Sequence, residues 1–332
     1  MAEFTRRAAA ALFSSFAVAG ARAQSAAPSA SSAALPNMTL IVPFPPGGST
    51  DALARLLAAG TSQKLGNTVI VEDRPGGMGS LGASQVARGF TNGSIFLVTF
   101  DSHATIPALV DQPPLDVAKD LEPVLLVGTA PYVIAANTSQ PYSTFADVIG
   151  AAKRNPGTID YSSAGPGTIG HLAMVLLGKK SGVEMVHIPY KGAGPAIVDT
   201  VGGHVGLIAA SIAILLPQIQ AGKLKPLLQL GRTRVAALKD VPTAIESGYP
   251  DFEATAWWGI FAPKGTPANV IAQASAAFKD TLSQPAISSQ LHDTQQIDLR
   301  FAGPDEFRKF FTRQIDVWGA VIRDNNIKLQ SS

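Results

Sequence analysis

The stretch Thr39–Leu57, TLIVPFPPGGSTDALARLL, forces a strand to turn sharply into a helix. Thr39 to Val42 is apolar and suited to a sheet. Pro43, Pro45 and Pro46 end it, because proline offers no N–H to a ladder. Gly47 and Gly48 turn the backbone, and apolar residues then recur at Leu53, Leu56 and Leu57, with Ser49, Thr50 or Asp51 placed to cap the helix. The same grammar returns later: a strand at Thr158–Ser162, the turn SSAGPG, and a helix from about Gly170 to Gly178. A helix start carries amides with no internal partner, and glycine lets a ligand come close, so either turn suits a carboxylate or phosphate. A plain β–turn–α unit with a capped helix and no ligand satisfies the local pattern equally.

Between and around these units, strands alternate with helices. Further strands are expected at Thr68–Glu72, Ser94–Thr99, Glu184–Ile188, Val205–Ala209 and Leu224–Leu230, with helices at Leu81–Val86, Thr144–Lys153, Pro195–Val201 and Ile212–Ala221. This order predicts an α/β chain with a mostly parallel sheet. Leu121–Asn137 is apolar but interrupted by Gly128 and Pro131, too broken for one helix, and reads as one or two strands crossing between domains. Thr255–Ala262, TAWWGIFA, reads as the return crossing. Helices are then expected at Pro267–Leu282, Pro285–Leu291 and Pro304–Asn325, the last with apolar Phe307, Phe310, Phe311, Ile315, Trp318 and Ile322 at helical period. The expected division is domain 1 at 37–136 and 255–332, with domain 2 at 137–254 between them. Two crossings would leave a cleft and permit closure over a ligand.

The first residues carry an address. Arg6 and Arg7 precede apolar Ala8–Gly20, and Ala21-Arg22-Ala23 is a small-x-small cleavage site, so 1–23 reads as a secretory signal peptide. Ser25–Pro36 is rich in Ala, Ser and Pro, and 24–36 reads as a flexible lead-in. Removing 1–23 takes away Arg6, Arg7, Arg22 and Glu3, and the formal charge goes from +2 to 0. No basic run marks a nucleic-acid surface. The chain has no cysteine, which excludes disulfides, a thiolate nucleophile and cysteine-based zinc sites. The mature protein is expected in an extracytoplasmic space, most simply a bacterial periplasm.

Two segments match G-x-G-x-x-G: Gly77-Met78-Gly79-Ser80-Leu81-Gly82 and Gly165-Pro166-Gly167-Thr168-Ile169-Gly170. Neither has an acidic residue at the spacing a dinucleotide ribose requires, so no cofactor is expected. An anion cradle built on backbone amides and Ser162, Ser163 and Thr168 fits better, with packing glycines as the alternative. Tyr190-Lys191-Gly192 supplies a further β–α turn. Ser102 and His103 follow the third strand at the same sheet edge as the first loops, and so carry more weight than His187 or His292. G-x-S-x-G, H-E-x-x-H and G-x-x-x-x-G-K-[ST] are all absent, so no catalytic or metal residue is expected.

Taken in order, VPFPPGGSTDALAR (42–55), EDRPGGMGSLGA (72–83), DSHATIPAL (101–109), YSSAGPGTIGHLA (161–173), PYKGAGPA (189–196), AGKLKPL (221–227) and DVPTAIESGYPDFEATAWWGIFAPKGTP (240–267) closely resemble the periplasmic solute receptors of tripartite tricarboxylate transporters, the Bug-type family. The resemblance covers nearly the whole mature chain. It implies a type II periplasmic-binding-protein fold: two mixed-sheet α/β domains joined by crossing strands, with the ligand cleft between them. It further implies a non-enzymatic monomer that captures a small mono-, di-, tri- or aromatic carboxylate and delivers it to a membrane permease. A carboxylate sensor feeding a signalling system, or an exported hydrolase, are the alternatives. Carried over residue by residue, domain 1 would contribute Phe44, Gly48, Ser49, Thr50, Asp51, Gly76, Gly77, Gly79, Ser102 and His103. Domain 2 would contribute Ser162, Ser163, Ala164, Gly167, Thr168, Tyr190 and Gly192. The simplest role for Asp51 is helix capping. Where the family often reads G-x-V-D, this chain has Gly203-His204-Val205-Gly206, with Ala209 near the usual aromatic position. Gly206 would then remove an acceptor and leave room for a longer or aromatic acid.

Overall fold

The structure is a computed structural model that describes residues 35–328. The expected signal peptide, and the lead-in as far as Ala34, lie outside the described residues. The last residues of that lead-in are packed: Leu35 is buried, and the Asn67 side-chain amide donates to its carbonyl. An apolar side chain with a place in the core brings the packed chain forward of the expected boundary at 37.

The first parallel set is β1 (Met38–Val42), β2 (Val69–Asp73) and β3 (Ile95–Phe100), in the order β2–β1–β3, connected through α1 (Ser49–Leu65) and α2 (Ser80–Ala87). A tight turn at Asp101–Thr105 leads into α3 (Ile106–Leu109). The interrupted apolar run forms a single strand, β4 (Leu121–Asn137). A register shift between Leu126 and Gly128 accommodates the glycine, and Pro131 stands where one run of pairing ends.

The second set follows: α4 (Phe145–Arg154), β5 (Asp160–Ser163), α5 (Ile169–Ser181), β6 (Val186–Pro189), α6 (Ala193–Val201), β7 (Leu207–Ser211), α7 (Ile212–Gln220) and β8 (Leu224–Gln229). Here β5 runs parallel to both β6 and β7. The return brings β9 (Thr255–Pro263), α8 (Ala268–Leu282), α9 (Pro285–Ser289), β10 (Asp298–Ala302) and α10 (Pro304–Asp324).

One mixed sheet results, ordered β2–β1–β3–β9–β4–β7–β5–β6, with β8 and β10 also paired to β4. β4 changes partners along its length. Leu121–Pro131 pairs with β9, and Tyr132–Ala136 pairs with β7. From Leu35 onward the contacts join the chain into one compact unit, and this exchange of partners is where its two halves meet.

The aromatic pair of β9 anchors the return. Trp257 is fully buried, with Phe307, Phe310 and Phe311 of α10 at ring-centroid distances of 5.9, 5.9 and 5.7 Å. Burying each such ring contributes about 1.5–3 kcal/mol, which explains the apolar stripe on α10.

Candidate functional site

Parallel strands release their loops at one edge. The carboxyl ends of β1, β2 and β3 therefore bring together Phe44–Gly48, Arg74–Gly79 and Asp101–Thr105. Helix α1 begins at Ser49, but Gly48 is its N-cap, and no side chain caps it. Asp51 does a different job from the capping expected of it. Its carboxylate accepts from the Gly47 amide at 2.8 Å and pairs with Arg55 Nε at 2.7 Å. Arg55 in turn reaches Asp73 at the end of β2, 3.1 Å away. This brace leaves the first-turn amides of Ser49, Thr50 and Asp51 without a side-chain acceptor. α4 is the contrast, with Thr144 and Asp147 forming a reciprocal capping box. Burial, and then the Asp51 charge, push the Asp73 carboxyl up, and Arg55 partly offsets them.

The second loop of this edge turns through four successive positive φ values, +129° at Gly76, +55° at Gly77, +57° at Met78 and +94° at Gly79. Only glycine takes most of these without strain, and the path seats Gly79 against Pro43 and Phe44. Ser102 is 7% exposed. His103 corrects the sequence reading. Its ring is fully buried against Phe261 (5.7 Å) and Phe311 (5.8 Å, stacked), with neither nitrogen partnered, and burial pushes it down to about 3. It belongs to the core beneath the loop and offers no group to a ligand there, because the turn at Asp101–Thr105 directs it inward.

At the second edge, β5, β6 and β7 end in the loops Ala164–Thr168 and Tyr190–Gly192 and in the start of α7. Adjacent residues on a strand face opposite ways, and this divides Ser162 from Ser163. Ser162 Oγ lies 2.8 Å from Thr200 Oγ1 of α6, fully buried and spent on packing. Ser163 Oγ lies 2.7 Å from His187 Nε2 and accepts from the Gly165 amide at 3.2 Å. Thr168 is the N-cap residue of α5, but its hydroxyl donates back to the Gly165 carbonyl at 2.8 Å, so α5 also lacks a side-chain cap.

Three further expectations change at this edge. The Gly167 amide is occupied, donating to His171 Nδ1 at 3.0 Å. The Tyr190 hydroxyl donates to Asp199 Oδ2 at 2.7 Å, near the end of α6. The Gly192 amide donates to the Ala164 carbonyl at 3.0 Å, tying the two loops together. None of these three groups is open to a ligand, because local partners lie within reach.

Gly206 is displaced altogether. Its amide donates to Asp160 Oδ1 at 2.7 Å, and Asp160 is the first residue of β5. Since β7 runs parallel to β5, Gly206 lies at the amino ends of the strands, opposite to the loops. Its expected role in ligand choice does not fit that position.

Three contacts bring the two edges together. A Cβ on Gly167 would overlap Leu109 of α3. The Tyr132 ring of β4 lies against Gly170 in the first turn of α5. The Tyr132 hydroxyl donates to Asp101 Oδ2, at the end of β3, at 2.9 Å. Sequence reasoning gave no site role to Leu109, Tyr132 or His171, and ranked His187 below Ser102 and His103. The spacing of Gly167 and His171, four residues apart across a helix start, was the available signal for one of them. Among the described residues, no three His, Asp or Glu side chains gather as a metal ligand set, and no helix is long and apolar enough to cross a membrane.

The family model for the tripartite tricarboxylate transporter family receptor matches residues 53–327. The chain belongs to that family. Protein BugT of Bordetella pertussis is 34% identical to this receptor over 293 residues, covering 88% of this chain and 90% of BugT. A solved periplasmic transporter is 38% identical with a TM-score of 0.82, covering 89% of the receptor and 98% of that chain. R. palustris Rpa4515, solved with adipate, is 29% identical with a TM-score of 0.82 over 88% of the receptor and 98% of its own chain. The receptor therefore has the α/β periplasmic-binding-protein-like fold expected from its sequence, with a curled mixed sheet flanked by helices.

Proposed function

We propose that this receptor captures a small organic carboxylate in the periplasm, between the first turns of α1 and α5, and presents it to a membrane permease. The observation that carries this is the pair of uncapped helix starts, one at each of two edges that touch through Leu109–Gly167 and Tyr132–Asp101. Each helix start carries about half a positive charge, and together they suit an anion's oxygens. Ser49, Thr50, Ser102 and the amides following Thr168 are the groups that would meet it. Phe44 and the Gly76–Gly79 turn would shape the first-domain wall. A relative solved with adipate supports a ligand with two carboxylates.

In this reading, the boundary expected at 136/137 moves to Pro131–Tyr132, where β4 changes partners, so that 37–131 with 255–332 forms one lobe and 132–254 the other, and closure hinges there and at Ala254–Thr255. The chain acts after export as a monomer, and needs no cofactor and no chemistry. The test is a thermal-shift panel of mono-, di-, tri- and aromatic carboxylates. A ligand present at 100 times its Kd adds about 2.7 kcal/mol to the folded state, so at least one acid should raise Tm clearly. A panel that leaves Tm unchanged throughout would reject the proposal.

A further inference from the structure

We infer that His171 and His187 are positioning residues for the α5 anion loop, holding its backbone so that the first-turn amides of the helix face the ligand while neither ring touches it. The inference rests on the function proposed above and adds residues that the carboxylate itself does not reach.

Two of the loop's anchors end on a histidine. Ser163 Oγ is fully buried, and its shortest contact is His187 Nε2 at 2.7 Å. The Gly167 amide donates to His171 Nδ1 at 3.0 Å. Since Nδ1 accepts, His171 is the neutral tautomer with its proton on Nε2. Gly167 has φ +73° and lies against Leu109, so the anchored residue is also the one that meets the opposite edge.

The two rings fix each other. They stack 4.0 Å apart at 12°, and Tyr161 of β5 stacks on His187 at 5.0 Å and 22°. The stack thus runs from β5 through β6 to α5, tying strand, loop and helix to one ring orientation. No carboxylate contacts either imidazole among the described residues. Burial pushes His171 down to about 4 and His187 to about 3, the nearby His171 adding to the second. Both rings are therefore uncharged at neutral pH and act through the hydrogen bonds they make, not as cations for the ligand.

The experiment uses the acid giving the largest thermal shift in the panel, titrated calorimetrically into the whole protein and its variants. His171→Phe keeps a ring in the stack and removes the acceptor. His171→Asn restores an acceptor close to the place of Nδ1. His171→Phe should weaken binding at least tenfold and abolish hydrogen-exchange protection of the Gly167 amide in the ligand-free protein. His171→Asn should keep that protection and bind within about threefold of wild type, a rescue that lost packing alone would not give. His187→Phe, which removes the Ser163 contact without altering α5, should weaken binding similarly and serves if His171→Phe does not fold. Wild-type affinity in both phenylalanine variants overturns the inference and leaves the proposed function standing. Equal weakening in His171→Phe and His171→Asn also overturns it. A wild-type protein that binds no acid in the panel rejects the function, and the inference with it.

Discussion

Gly170→Ala should lower stability by about 2–3 kcal/mol and weaken carboxylate binding, although the same exchange in an ordinary helix adds stability. A Cβ at Gly170 would overlap the Ala209 carbonyl oxygen and lie 3.1 Å from its carbon and 3.3 Å from the Tyr132 ring. The obstacle is backbone. Ala209 pairs with Ile134 in the β4–β7 ladder, so it cannot give way as a side-chain tip would. Overpacking of this kind costs about 1–3 kcal/mol. The way to relieve it is for α5 to move off β7, carrying its first-turn amides with it. Gly150, inside α4, is the control: a Cβ there meets only the tip of the Arg154 side chain, at 3.4 Å. Gly150→Ala should be neutral or gain up to about 1 kcal/mol from helix propensity. Matching melting and binding curves for Gly170→Ala and wild type would show that the close approach of α5 to β7 is not needed.

The second large effect is a change of stability with pH in Asp101→Asn. Asp101 is 1% exposed; Oδ2 accepts from Tyr132, and Oδ1 has no partner. Burial pushes its carboxyl well above the usual range, and the hydrogen bonds from Tyr132 and the Ser102 backbone only partly oppose this. The folded state therefore holds this proton more tightly than the unfolded chain does. That contribution is fully present below pH about 3.8 and is lost as pH rises toward the folded value. Asparagine keeps the shape and the acceptor for Tyr132 but does not titrate. Relative to wild type, Asp101→Asn should gain stability between pH 4 and 7, by about 1.4 kcal/mol for each pH unit of that window in which the folded carboxyl keeps its proton and the unfolded one does not. The change across that window is the measurement, because the new amide N–H groups bring a desolvation cost that does not vary with pH. Denaturant melts whose difference stays flat from pH 4 to 7 would contradict the assignment.

Most of the architecture was legible because β-rich runs end at proline–glycine turns and each helix carries its apolar stripe. β4 was harder. Gly128 and Pro131 look like breaks, yet a register shift absorbs Gly128, which lets Asp298 of β10 approach closely, and Pro131 falls where β4 changes partners. In the site, the loops were legible and the roles of their side chains were not. Ser162 and Ser163 look alike in sequence, and only the pleat of β5 sends one to Thr200 and the other to His187. His103 gained weight from its place after β3, but a tight turn drives it into the core, while His187 inside β6 reaches the loop. Gly206 was misplaced because its position depends on strand direction: running parallel to β5 puts it beside Asp160, a whole strand away from the loops. Asp51 could be assigned near the helix start, but its partners, the Gly47 amide and Arg55, follow from the turn that precedes the helix.

The central claim is that opposed, uncapped starts of α1 and α5 hold a ligand's charged oxygens. Calorimetric titration of the best acid of the panel beside its neutral amide tests this most directly, since the two share shape and differ in charge. The account predicts saturable one-to-one binding of the acid and affinity for the amide reduced at least a hundredfold, because hydrogen bonds to an ionised acceptor are roughly twice as strong as neutral ones. Equal affinity for acid and amide would contradict it.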